Sequence, residues 1–75
     1  MAKLPRLSGK EMLDFLRRQG FGIVRVRGSH HVVNRGDIYT TVPVHGNRPL
    51  KIGTLRKILR DIEMEPDEFR RLLQH

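Results

Sequence analysis

Phe21-Gly22-Ile23-Val24-Arg25-Val26-Arg27-Gly28-Ser29-His30-His31-Val32-Val33-Asn34-Arg35-Gly36-Asp37-Ile38-Tyr39-Thr40-Thr41-Val42-Pro43-Val44 consists of three β-branched runs divided by two turns. Phe21 to Arg27 is the first run, Gly28-Ser29 a tight turn, and His30 to Asn34 the second run. Asn34-Arg35-Gly36-Asp37 has the composition of a hairpin turn, because Asn, Gly and Asp accept the backbone angles that turns need. Ile38 to Val44 is the third run. In it Ile38, Thr40, Val42 and Val44 alternate with Tyr39, Thr41 and Pro43, the period of a half-buried strand. Counted the same way, Ile23 points opposite to Val24 and Val26, which places apolar groups on both faces of the first strand. Pro43 has no N–H to donate, so its strand end is expected at an edge or with its N–H side free.

The flanks read as helices. Ser8-Gly9-Lys10-Glu11 is a capping box, in which the Ser8 hydroxyl takes a backbone N–H near Glu11 and Glu11 reaches back to Ser8. A helix follows from about Gly9 to Gln19, with Met12, Phe15, Leu16 and Gln19 along one stripe and Leu13 widening it. Gly20 suits the position that ends a helix, and Phe21 can fold back on its last turn. His45 to Pro49 is a loop. Ile52, Leu55, Ile58, Leu59 and Ile62 form a second helical stripe from about Lys51 to Ile62, read here as core, with Arg56, Lys57 and Arg60 on the other side. Pro66 opens a short third helix, with Asp67 and Glu68 in its first turn and Phe69, Leu72 and Leu73 as its apolar face. The order α-β-β-β-α, plus a terminal α, predicts an α+β fold. A three-stranded antiparallel sheet carries its helices on one face and leaves the other open, as in double-stranded-RNA-binding domains.

The chain has 75 residues, which makes one domain over residues 1–75. A domain of this size buries only about 60% of its unfolded surface. There is no cysteine, so disulfides and thiolate metal sites are excluded. Met1-Ala2-Lys3-Leu4-Pro5-Arg6 is broken by charge and proline, so neither secretion nor a membrane is expected, and the cytoplasm is the default expectation. The net charge is +7, and between Phe15 and Arg60 the only acid is Asp37. The same stretch holds Arg17, Arg18, Arg25, Arg27, Arg35, Arg48, Lys51, Arg56, Lys57 and Arg60, while Asp61, Glu63, Glu65, Asp67 and Glu68 gather after it. A basic body of this kind is the electrostatic footprint of a protein that binds nucleic acid.

Four histidines are candidates for chemistry: His30, His31, His45 and His75. His75 is terminal and carries little weight. His30 and His31 are strand neighbours and point to opposite faces, so they cannot chelate one metal together. Parity does not say which of them faces the helices. Two partly buried strand histidines with ordinary hydrogen bonds are one reading; a catalytic histidine is the other. The chemistry of the second is definite. RNA carries its own nucleophile, the 2′-hydroxyl, and a histidine titrates where it can remove or return that proton. Arg25, Arg27, Lys51, Arg56 and Lys57 are available to balance phosphate charge. Ser29 either hydrogen-bonds phosphate, orients His30, or is simply a turn residue. His45 follows the third strand at the end of the sheet where the second begins. It either approaches His30 as an acid–base partner or caps the loop or the next helix. Gly53 in the first turn of the second helix allows close backbone approach to an anion. No P-loop, dinucleotide fingerprint or zinc-finger spacing is present, and with no cysteine and no third well-placed ligand neither a metal nor a cofactor is expected. Of the aromatics, only Tyr39 is placed to stack on a base, which argues against a single-strand reader built on an aromatic platform.

Arg25-Val26-Arg27-Gly28-Ser29-His30-His31 resembles the signature turn of the HicA (YcfA-like) toxins, small mRNA interferases of bacterial and archaeal toxin–antitoxin pairs. Thr41-Val42-Pro43-Val44-His45 resembles that family's third strand, and Lys51-Ile52-Gly53-Thr54-Leu55-Arg56-Lys57-Ile58-Leu59 its second helix. Phe21 resembles the aromatic after its first helix. The resemblance covers nearly the whole chain. It implies a double-stranded-RNA-binding-like fold and endoribonuclease activity on mRNA without a metal or other cofactor. The catalytic histidine is then His30, its turn is fixed by Gly28, and Ser29, Arg27, His45, Lys51 and Lys57 bind or support RNA. It also implies a HicB-type antitoxin that masks the active surface. A non-catalytic RNA-binding module is the alternative, and a basic face that docks an acidic protein is a third reading.

Overall fold

A computed structural model describes residues 3–74; His75 lies outside the described residues. The elements run α1 (Gly9–Arg18), β1 (Gly22–Arg27), β2 (His30–Arg35), β3 (Ile38–Pro43), α2 (Ile52–Asp61) and α3 (Pro66–Leu73). The strands form one antiparallel sheet in the order β1-β2-β3, so β2 is central and β3, with Pro43 at its end, is an edge. This is the α+β meander expected from the residue pattern.

The local signals at α1 act as read. Ser8 Oγ accepts from the Glu11 N–H at 3.1 Å, and Glu11 Oε1 accepts from the Ser8 N–H at 2.8 Å. An N-cap of this kind contributes about 1 kcal/mol. At the other end the Phe21 N–H donates to the Leu16 carbonyl and the Gly20 N–H to that of Arg17, a Schellman closure that turns the chain into β1 with Phe21 buried. Met12, Phe15 and Leu16 of α1 meet Leu55, Ile58 and Leu59 of α2, with Val33 and Val42 of the sheet, in one core. Phe69 of α3 is fully buried and packs edge-on against Phe15, ring centroids 4.9 Å apart. Gly9 lies where α1 crosses the end of β3: a Cβ there would collide with the Pro43 carbonyl oxygen.

Two expectations need correction. The strict alternation assigned to β1 fails, because the β1–β2 register shifts between Ile23 and Arg25. The bulge at Val24 adds one residue to the strand. Ile23 pairs with Val33 and Val26 with His31, while Arg25 pairs with Val32 and Arg27 with His30. Paired residues share a face of the sheet. Ile23 and Val26 are therefore on the same, helix-facing side, and the two arginines are together on the open side. The second correction concerns Ile52, which is 54% exposed rather than core. It is the first residue of α2, a turn before the helix meets the sheet at Leu55.

Candidate nucleic-acid interface

The β1–β2 hairpin closes in two residues, because Arg27 pairs directly with His30. Gly28, the first loop residue, has φ +55, and Ser29 does not have a positive φ. A positive φ at the first of two loop residues is the hairpin arrangement that favours glycine there, and its twist matches that of the strands. The turn thus sets His30 as the first residue of β2.

The register settles what parity left open. Val33 is buried against the helices, so His31 and Val33 share the helix-facing side. His30 is on the open face with Arg27, Arg25, Val32, Asn34 and, across β2–β3, Tyr39 and Thr41. His30, Arg25, Arg27 and Tyr39 are all exposed. His31 is half-buried, and its Nδ1 lies 3.2 Å from the Ser29 carbonyl oxygen. Ser29 contributes through that carbonyl, which also accepts the Val44 N–H at 2.7 Å; its hydroxyl has no hydrogen-bond partner among the described residues.

One end of the molecule gathers several more of the candidates. His30 pairs with Pro43, the last residue of β3, and the loop that leaves β3 carries His45 and Arg48, both exposed. The loop returns beside the start of α1, where Pro49 bridges to Ser8 and the Leu50 N–H donates to the Leu7 carbonyl at 2.8 Å. α2 begins there. Its N-cap, Lys51, makes no side-chain cap, and its first turn has no acidic residue. Free N–H groups and an unopposed dipole at a helix start attract anions. Lys57 stands apart from this end. It is an ion-pair partner of Asp61 at 3.0 Å, and Asp61 also accepts from the buried Thr40 hydroxyl at 2.9 Å, farther along the sheet on the helix side.

Among the described residues the ion pairs are Lys57–Asp61 and Arg70–Asp67. Arg25, Arg27, Arg48 and Lys51 have no acidic contact there, so the positive potential of the open face and its rim is unquenched by direct pairing. A groove lined by Leu4, Arg56, Leu59, Arg60, Glu63 and Met64 lies around the end of α2 and the turn that follows it, and His30 is not among its lining residues. Among the described residues no cluster of three or more His, Cys, Asp or Glu side chains stands ready to hold a metal ion, and no helix is long and apolar enough to cross a membrane. Arg25 and Arg27 share a face through the two-residue period of the strand, and the two-residue turn brings His30 beside them; what had no signal in the sequence is the bulge at Val24, which turns Ile23 to the helix side.

Comparison with curated proteins gives no match. A family model described as the HicA toxin of bacterial toxin–antitoxin systems matches residues 9–64, from the first residue of α1 to just past the end of α2. That span holds the whole sheet, the Gly28-Ser29 turn and both helices of the main core, and the chain belongs to the HicA toxin family of bacterial toxin–antitoxin systems.

Proposed function

We propose that this toxin is an endoribonuclease that cuts mRNA, with His30 as the group that moves the proton. The observation that carries the reading is the open sheet face: an exposed imidazole at a two-residue turn, with Arg27 directly opposite it in the ladder and Arg25 one pair farther along the same face. An exposed row of cationic side chains beside an imidazole suits a polyanion such as RNA.

The reaction needs few parts. The ribose 2′-hydroxyl attacks the adjacent phosphorus, and the bond to the 5′-oxygen breaks. His30 takes the 2′-hydroxyl proton or hands one to the leaving oxygen, a role that contributes about 10²–10⁴-fold. Arg27 and Arg25 balance the charge that gathers on the phosphoryl oxygens. Gly28 holds the turn, and Ser29 orders it through its carbonyl. Lys51, Arg48, His45 and the start of α2 extend the basic track beyond the reacting group; Lys57 adds charge at a distance. Because the nucleophile belongs to the substrate, the scheme uses no metal ion or other cofactor. An antitoxin of the HicB type silences the toxin by covering this face with acidic groups. Such a toxin works in the cytoplasm, where mRNA is.

The test is digestion of a defined mRNA transcript by the purified protein in EDTA. Cleavage that persists with chelator and ends with His30→Ala supports the reading. Binding of the transcript without cleavage by the native protein supports an RNA-binding module instead.

A further inference from the structure

The two adjacent histidines have different environments, and the difference assigns a task to the second. His31 shares the helix-facing side of β2 with Val33. Its ring turns back along the chain, and Nδ1 comes within 3.2 Å of the Ser29 carbonyl oxygen. That oxygen can only accept. The hydrogen therefore sits on Nδ1, and Nε2 keeps the lone pair whenever the ring is neutral. The donor is on Nδ1 in the cationic ring as well. The Ser29 carbonyl and the His30 N–H belong to one planar peptide unit. Two donors grip this unit, the Val44 N–H at 2.7 Å and His31 Nδ1. The first ties it to the chain leaving β3; the second ties it to the residue just after His30.

From this geometry we propose that His31 is a positioning residue. Its Nδ1–H clamps the Ser29–His30 peptide plane and so fixes the direction in which the His30 ring leaves the sheet. The inference rests on the reading of His30 as the reacting group. It asks nothing of His31 toward RNA, since the two rings are on opposite faces. A reacting group that is poorly aimed loses rate rather than affinity, and misplacement by about 1 Å can cost up to about 10²-fold. The effect of losing the clamp therefore belongs in kcat.

The experiment compares His31→Asn, His31→Gln and His31→Leu with the native protein on one RNA oligonucleotide. Asn places its amide N–H close to where Nδ1–H sits, Gln carries the same amide one carbon too far, and Leu has no donor. His31→Leu and His31→Gln should lower kcat by about tenfold or more, with KM changed less than twofold, and His31→Asn should recover most of the loss. Equal kcat in all four proteins overturns the clamp, as does a His31→Asn protein no better than His31→Gln. A second readout needs no activity. Imidazole ¹⁵N shifts of the native protein should show His31 as the Nδ1–H tautomer, and an Nε2–H tautomer overturns the proposal even if His31→Leu fails to fold. His30→Ala separates the two levels. If it still cuts RNA, the reading of His30 is wrong; if it does not cut and His31→Leu is as fast as native, only the clamp is wrong.

Discussion

Arg27 and His30 face each other as the last pair of the β1–β2 ladder, with Gly28 and Ser29 as the only residues between them. The guanidinium and the imidazole rise from the same side of the sheet, and Arg25, two residues before Arg27 and past the bulge at Val24, is on that side too. A strand without the bulge and with the same pairing at its end would keep Arg25 opposite Val32 but would set Val24 against Val33 on the helix side and turn Ile23 to the open face. The basic row beside His30 thus follows from strand alternation and the two-residue turn, and the bulge decides the side that Ile23 takes.

Arg25→Ala and Arg27→Ala should each weaken RNA binding and flatten its salt dependence. For single-stranded RNA each lost phosphate contact lowers the slope of log K against log salt by about 0.7. Filter binding over a salt series measures it. A pair of variants with the native slope would place RNA elsewhere.

Lys51→Ala should reduce RNA affinity more than Lys57→Ala. Lys51 stands at the uncapped start of α2 at the His30 end, whereas Lys57 is engaged by Asp61 on the helix side. Lys57→Ala should also cost no more than about 0.5 kcal/mol of stability, the ordinary value of an exposed helical ion pair. The same binding assay and a urea melt check both statements.

Three glycines should respond to alanine in three ways. Gly9→Ala drives a Cβ against the Pro43 carbonyl and should destabilise by about 1–3 kcal/mol or more, since backbone must shift. Gly28→Ala meets no atom within 4 Å, but its φ of +55 carries a backbone cost of about 1–3 kcal/mol and should slow cleavage as the turn relaxes. Gly53→Ala has open space and a helical position, so it should stabilise by up to about 1 kcal/mol. Chemical denaturation of the three proteins provides the ranking.

Phe69→Ala should cost about 3–5 kcal/mol, a large part of the stability of so small a domain. The residue lies past the family match, yet it is fully buried on Phe15. A thermal melt close to native would show that α3 is dispensable.

Much of this architecture could be read from residue order. The capping box, the Gly20 stop, the two glycine turns and the apolar stripes of α1 and α2 are local devices, and each acts where the sequence places it. What the sequence hid was register. No residue in β1 signals the Val24 bulge, so counting by twos put Ile23 and Val26 on different faces. His30 and His31, which parity alone leaves unassigned, take their faces from the burial of Val33, two residues after His31 on the same strand. Ile52 looked like core because periodicity says which side of a helix is apolar and not where the neighbouring sheet ends. Ser29 acts through its carbonyl, a backbone group that every residue has and that no side-chain pattern could single out.

The central claim is met most directly by cleavage and binding measured side by side for His30→Ala. The account predicts a folded protein that binds the mRNA transcript within about twofold of native and cuts it at least 10²-fold more slowly. Cutting at the native rate by that protein would contradict it.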